Sequence, residues 1–197
     1  MFTEYVPDRN ARILDFGCGY GRVMAQLAEA GYTALTGIDF SEPLVRRGRE
    51  EHPGLDLAAY PGGPLPYADN SFDAAVMLAV FTCMPDTAAQ AGALLELKRV
   101  LRPGGVLYVN DFLLNRDRRN LDRYQLGQEK YGIYGIFDVD DGGTLRHHDR
   151  DHMEALFFDF HTLVFEEAVY DTMHGHLSNG FYAVLRMPDW EERSPGA

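Results

Sequence analysis

Cysteine is scarce in this chain: among 197 residues only Cys18 and Cys83 carry a thiol. One falls inside a glycine turn and the other at an expected strand end, which suits a reducing compartment and argues against a disulfide framework. Cys18 reads as a small filler rather than a nucleophile. Long apolar runs are also missing. No stretch approaches the roughly 18 to 20 apolar residues of a membrane-spanning helix, and Met1 to Arg12 is polar, without the apolar centre of a secretory leader. A cytoplasmic location and no membrane partner are therefore expected. Positive charge is in deficit as well, with 18 Lys and Arg against 30 Asp and Glu, a net charge of -12. Nucleic-acid binding rests on basic neutralisation of phosphates, so this balance argues against that partner and for a small molecule. The one basic cluster, Arg116, Arg118, Arg119 and Arg123, is interrupted by Asp117 and Asp122 and reads as a solvated, salt-bridged helical face. No internal repeat occurs, and the sequence leaves open whether the chain forms a homo-oligomer.

What is present is enough for one sizeable domain. The hydrophobic fraction of 46% is ordinary for a globular protein, and a chain of this length buries a real core without disulfides or metals. We expect a single domain over residues 1–188 and a polar tail over 189–197. Its organising stretch is 13–22, Ile-Leu-Asp-Phe-Gly-Cys-Gly-Tyr-Gly-Arg. Ile13 and Leu14 read as the end of a buried parallel strand. Gly17, Gly19 and Gly21 let the backbone turn sharply against a ligand, and a helix starts at Arg22. A dinucleotide fingerprint would run G-x-G-x-x-G with the pyrophosphate on the helix N-terminus. Here the third glycine of that pattern is replaced by Arg22, and Asp15 stands two residues before the first glycine. A carboxylate there repels a pyrophosphate and attracts an ammonium group. The spacing favours a nucleoside ligand that carries a cation.

The segment Leu-Asp-Phe-Gly-Cys-Gly-Tyr-Gly resembles the first motif of the class I S-adenosylmethionine-dependent methyltransferases, whose ligand carries an ammonium and a sulfonium and no phosphate. The resemblance continues in order. Asp39 ends the second strand 22 positions after Gly17, where an acidic residue accepts both hydroxyls of a ribose; Phe40 beside it is placed to pack on adenine. Ser41 and Pro43 mark the start of a helix over 42–51. Asp69-Asn70-Ser71-Phe72-Asp73, followed by an apolar run to Leu78, is similar to the family's approach to its fourth strand, and Leu97 to Leu107 resembles its approach to the fifth. One departure stands out. The family commonly has an acidic residue after the third strand to bind the adenine amino group, and here that place holds Tyr60, Pro61, Gly62 and Gly63. Backbone groups around Gly62 are expected to serve instead. The resemblance implies that Leu78 and Ala79, at the end of strand four, lie beneath the methionine part of the cofactor. The cofactor set is thus Asp15, Gly17, Cys18, Gly19, Arg22, Asp39, Phe40, Gly62, Leu78 and Ala79.

Strands alternating with helices predict an α/β doubly wound, mostly parallel sheet with helices on both faces and ligands at the carboxyl ends of its strands. The resemblance adds seven strands, with the last one antiparallel and inserted beside strand five. We expect strands at 32–38, 55–60, 106–114, 161–173 and 180–187. Arg102-Pro103-Gly104-Gly105 is expected to terminate the helix before strand five, and Asp149 to cap a helix running to about Asp159. The insertion at 115–148, polar and rich in Arg, Tyr and Gly, is expected to be a lid over the substrate, supplying Tyr124, Tyr131, Tyr134, Phe137, Arg146, His147 and His148, with a hairpin turn at Asp140-Asp141-Gly142-Gly143. His147 and His148 are the candidates for a general base. His174 and His176 lack further nearby ligands, so no metal site is expected. The function expected from the resemblance is transfer of the sulfonium methyl to an O, N, S or C atom of a small-molecule acceptor by in-line displacement. The alternatives are a non-catalytic S-adenosylmethionine-binding regulatory protein and an NAD-dependent oxidoreductase. Methyl transfer separates the first two, and ligand identity separates both from the third.

Overall fold

Strand β1 (Arg12–Phe16) is buried at four of its five positions, as a parallel strand covered on both faces must be. Its side chains alternate between two cores: Ile13 packs with Leu27, Tyr32, Ala74, Val106 and Val184, and Leu14 packs with Met77, Leu97, Leu107 and Phe181. The computed structural model describes residues 2–140, 142–172 and 175–189. Before β1 lies a single helical turn, α1 (Phe2–Tyr5). After it come α2 (Arg22–Glu29), β2 (Ala34–Asp39), α3 (Glu42–Glu51), β3 (Asp56–Ala59), β4 (Phe72–Leu78), a 3-10 turn at Phe81–Cys83, α4 (Thr87–Val100) and β5 (Leu101–Phe112). The remaining elements are α5 (Arg118–Tyr131), β6 (Ile136–Asp138), β7 (Thr144–Arg146), α6 (Arg150–Leu156), β8 (His161–Asp171) and β9 (Leu177–Arg186).

The main sheet has the order β3-β2-β1-β4-β5-β9-β8, with β6 and β7 forming a separate hairpin. The five strands from β3 to β5 are parallel. Strand β9 pairs antiparallel with both β5 and β8, so the expected seven-stranded sheet with its last strand inserted beside strand five is present. The order changes direction at β1 and β4, whose carboxyl ends open the crevice where α/β sheets take ligands.

Several boundaries differ from expectation. Residues 101–105 belong to β5, not to a helix terminator: Pro103 has no N–H to donate, but Gly104 donates to Met187 O and Met187 N donates to Gly105 O, so the stretch pairs with the chain after β9. Strand β9 begins at Leu177 rather than at 180, because Ser178 is buried and Asn179 is tied to Asn115 and Leu114. Helix α6 stops at Leu156, and Asp149 caps it by accepting from His152 N as expected. Ser41 occupies the cap position of α3, but its hydroxyl makes no capping bond. In the basic cluster Arg118 pairs with Asp122, whereas Arg123 is half-buried with its guanidinium carbon 3.5 Å from the centre of the Phe137 ring.

The insertion after β5 is α5 followed by the β6–β7 hairpin. Asp117 caps α5 by accepting from Asn120 N, and Gly127 lets α5 lie directly on the hairpin, since a Cβ there would stand 1.6 Å from Ile136 O. The chain then returns along the end of β5, with Leu114 N donating to His148 O and His148 N to Phe112 O. Arg146 fastens the hairpin to the segment after β4 through Pro85 O (3.1 Å) and Thr87 Oγ1 (2.8 Å). The expected turn falls where β6 meets β7, although Asp141 itself, His174 and the tail from 190 lie outside the described residues.

Candidate functional site

The glycine turn is anchored to β2: Gly17 N and Cys18 N both donate to Ile38 O, at 2.8 and 3.0 Å. Gly17 has φ +83°, and a Cβ on it would lie 2.4 Å from Val80 Cγ2. The turn therefore accepts no side chain at that point, for reasons of both conformation and space. Asp39, only 8% exposed, is held by two backbone donors, Gly19 N on Oδ2 and Ser41 N on Oδ1, each at 2.8 Å. These bonds fix the carboxylate at the mouth of β2 while leaving lone pairs free.

Asp15 is 2% exposed, and its Oδ2 has no hydrogen-bond partner. Burial pushes its carboxyl up to about 7, the nearby Asp39 carboxylate adds to the rise, and Arg22 opposes it. Arg22 is the exposed first residue of α2. Cys18 packs with Met24, Val45 and Leu57, and burial raises its thiol further from ionisation. It fills space, as expected.

At the end of β4, after half-buried Leu78, Ala79 adopts φ +54°, a left-handed conformation that costs a residue with a Cβ about 1–2 kcal/mol. Two bonds to β5 hold the segment there: Ala79 N donates to Asn110 O at 2.7 Å, and Thr82 N donates to the fully buried Asp111 at 3.1 Å, which also accepts from Phe112 N within β5 at 2.7 Å. Burial raises the Asp111 carboxyl to about 7 against those donors.

Between these two edges lies a cavity of about 310 Å³, lined by Phe16, Gly17, Ile38, Asp39, Phe40, Tyr60, Pro61, Gly62, Ala79, Val80, Cys83 and Met84. Of the sequence-derived cofactor residues, Gly17, Asp39, Phe40, Gly62 and Ala79 line it. Gly19 touches it through Asp39, while Asp15, Cys18, Arg22 and Leu78 lie outside the lining. Phe40 is 79% exposed at the rim of the cavity. Tyr60 donates its hydroxyl to Gly63 O, closing a tight loop, and its ring meets Phe16 edge-on at 6.1 Å.

His147 and His148 lie in the insertion, outside this lining. The Tyr124 hydroxyl contacts His147 Nδ1 at 2.6 Å, and Phe112 stacks on the ring at 5.5 Å. His148 Nε2 lies 2.8 Å from Gln90 Nε2, while its buried Nδ1 has no partner. Burial pushes both imidazoles down to about 3, helped by Arg123 at His147 and by Arg146 at His148. His148 lines a second cavity of about 630 Å³, between the insertion and the ends of β5 and β9, together with Leu113, Asn115, Arg116, Leu121, Tyr134, Arg150 and Asn179. Tyr124 and Phe137 are buried, and Tyr131 bonds to Asp138, so of the expected lid side chains only Tyr134 and His148 face that cavity. Among the described residues no group of three His, Cys, Asp or Glu could hold a metal, and no helix is long and apolar enough to cross a membrane.

Sequence reasoning missed Asp111 and Gln90. The signals were there: Asp111 is an acid inside the apolar run of β5, and Gln90 shares the helix face of Leu94 and Leu97, where every neighbour is apolar.

Comparison with known proteins gives the site a context. A methyltransferase-domain family model matches residues 14–109. The chain is 38% identical over 106 residues to demethylmenaquinone methyltransferase of Corynebacterium kroppenstedtii, covering 54% of this chain and 44% of that one. It is 33% identical over 138 residues to 27-O-demethylrifamycin SV methyltransferase of Amycolatopsis mediterranei, covering 66% and 50%. The chain thus spans about half the length of these curated relatives. The structure of an S-adenosylmethionine-dependent methyltransferase from Methanosarcina mazei superposes with a TM-score of 0.88 at 26% identity, covering 95% of this chain and 97% of that one.

Proposed function

The chain belongs to the class I S-adenosylmethionine-dependent methyltransferase family, and from that premise we propose that it moves the sulfonium methyl of S-adenosylmethionine to a nucleophilic O, N, S or C atom of a small molecule. The observation that carries this reading is the pairing of two buried carboxylates at the glycine turn: Asp39 held ready by Gly19 N and Ser41 N, and Asp15 with a partnerless Oδ2. These residues fit the cofactor. Asp39 offers charged acceptors to ribose hydroxyls, Asp15 offers negative charge to a cationic ligand, and Phe40, Tyr60 and Pro61 offer apolar surface to a base. When bound, S-adenosylmethionine supplies an electrophilic methyl group. The protein's own part is alignment and exclusion of water. Val80 packed on Gly17 limits how the turn can move, and Asp111 keeps in place the 3-10 turn that carries Cys83 and leads into Met84.

We place the acceptor under the insertion, in the second cavity, whose lining mixes Leu113, Leu121 and Tyr134 with Arg116 and Arg150. His148 is then the histidine of the pair nearest to it; with its Nε2 accepting from Gln90, the neutral ring carries its proton on the unpartnered Nδ1, so it would orient the acceptor as a hydrogen-bond donor rather than remove a proton. The assay is transfer of a labelled methyl from S-adenosylmethionine to fractions of a small-molecule extract, with demethylmenaquinone and 27-O-demethylrifamycin SV tried first because two relatives are named for them. Label in an organic product, with matching release of S-adenosylhomocysteine, is expected. Tight cofactor binding with no label in any fraction favours the regulatory alternative.

A further inference from the structure

Gln90 sits on α4 with no exposure to solvent. Its Nε2 lies 2.7 Å from Met84 O, 3.4 Å from Phe81 O and 2.8 Å from His148 Nε2, and its Oε1 lies 2.8 Å from His152 Nε2. A carbonyl only accepts, so the amide nitrogen must face Met84, and the rest follows. His152 donates from Nε2 to Oε1, and His148 presents a bare Nε2 to the second amide proton. One buried carboxamide therefore joins three parts of the molecule: the segment after β4, the returning end of the insertion and α6. Met84 lines the first cavity and His148 the second. The wall that Met84 belongs to has little slack, because Val80 is already packed on the bare Cα of Gly17.

We propose that Gln90 is a positioning residue for the cofactor site. By holding Met84 O against the insertion, it sets the Val80–Met84 wall, and through it the affinity for the cofactor. This rests on the function proposed above. The same carboxamide makes the wall sensitive to the insertion, since any movement of His148 away from β5 removes one of the bonds that orient it.

The test is calorimetric titration with S-adenosylhomocysteine at a temperature well below the melting transition, with circular dichroism to establish folding. Gln90→Met keeps length and volume but has no donor, and is expected to raise Kd about five- to thirtyfold, the effect of losing one or two hydrogen bonds. His152→Ala removes one anchor of the carboxamide at a half-buried surface position and is expected to raise Kd by about two- to fivefold, with His152→Gln, which restores an N–H, returning it toward wild type. A merely structural Gln90 would lower the melting temperature and leave Kd unchanged in folded protein. Unchanged Kd in Gln90→Met overturns the proposal. Should Gln90→Met fail to fold, an unchanged Kd in His152→Ala overturns it. Wild type that does not bind S-adenosylhomocysteine refutes the cofactor assignment itself, an outcome separate from either of these.

Discussion

Asp15 and Asp39 are two buried acids beside the same glycine turn, one from the strand that enters it and one from the end of β2, and the backbone treats them differently. Asp39 receives two N–H donors, whereas one oxygen of Asp15 receives none. Asp39→Ala is expected to weaken binding of S-adenosylhomocysteine by about 1–3 kcal/mol, because ribose hydroxyls lose a charged acceptor; an unchanged titration would remove Asp39 from the site. Asp15 should show itself through pH. Its carboxyl is raised to about 7 in the folded protein, so below that value it is protonated and must lose a proton to attract a cation. Affinity for the cationic cofactor should therefore climb by up to about tenfold per pH unit as pH rises toward 7 and level off above it. Asp15→Asn should flatten that profile, and a profile identical to wild type would contradict the role. Asp15 and Asp39 were legible in the sequence because their places follow from spacing to the glycines. Asp111 and Gln90 stand out in the sequence as polar residues on apolar faces, but their roles were not legible, because those depend on carbonyls and N–H groups that only the folded loop after β4 brings to them.

The strands and helices flanking the glycine turn were readable as alternating buried runs, since parallel strands covered on both faces leave a dense apolar signal. The insertion was not readable in that way. Its hairpin has strands of three residues, too short for a period, and α5 is held as much by contacts as by pattern. Residues 101–105 misled for a related reason: Pro-Gly-Gly signals a helix end locally, but pairing with the chain after β9 makes the stretch part of β5. Close packing of α5 on the hairpin predicts that Gly127→Ala, despite better intrinsic helix propensity, lowers stability by about 1–3 kcal/mol and exposes the turn near Gly142 to protease. An unchanged denaturant midpoint would mean that α5 can ride away from Ile136 without loss.

At the scale of the molecule, a sheet whose order changes direction between β1 and β4 puts the glycine turn, Asp39 and the Val80–Met84 wall on one crevice, and the insertion places a second cavity beside it. The net charge of -12 suits this arrangement, since the proposed ligand is a cation and no phosphate has to be held. Thermal unfolding with S-adenosylmethionine, S-adenosylhomocysteine and NAD in parallel shows whether the crevice takes an adenosyl cation or a dinucleotide. A ligand that binds only the folded chain adds about 2.7 kcal/mol at a hundred times its Kd, which for a domain of this size raises Tm by about 5–10 °C. That rise is expected with the two adenosyl ligands and none with NAD. A rise with NAD alone, or with none of the three, would contradict the cofactor assignment.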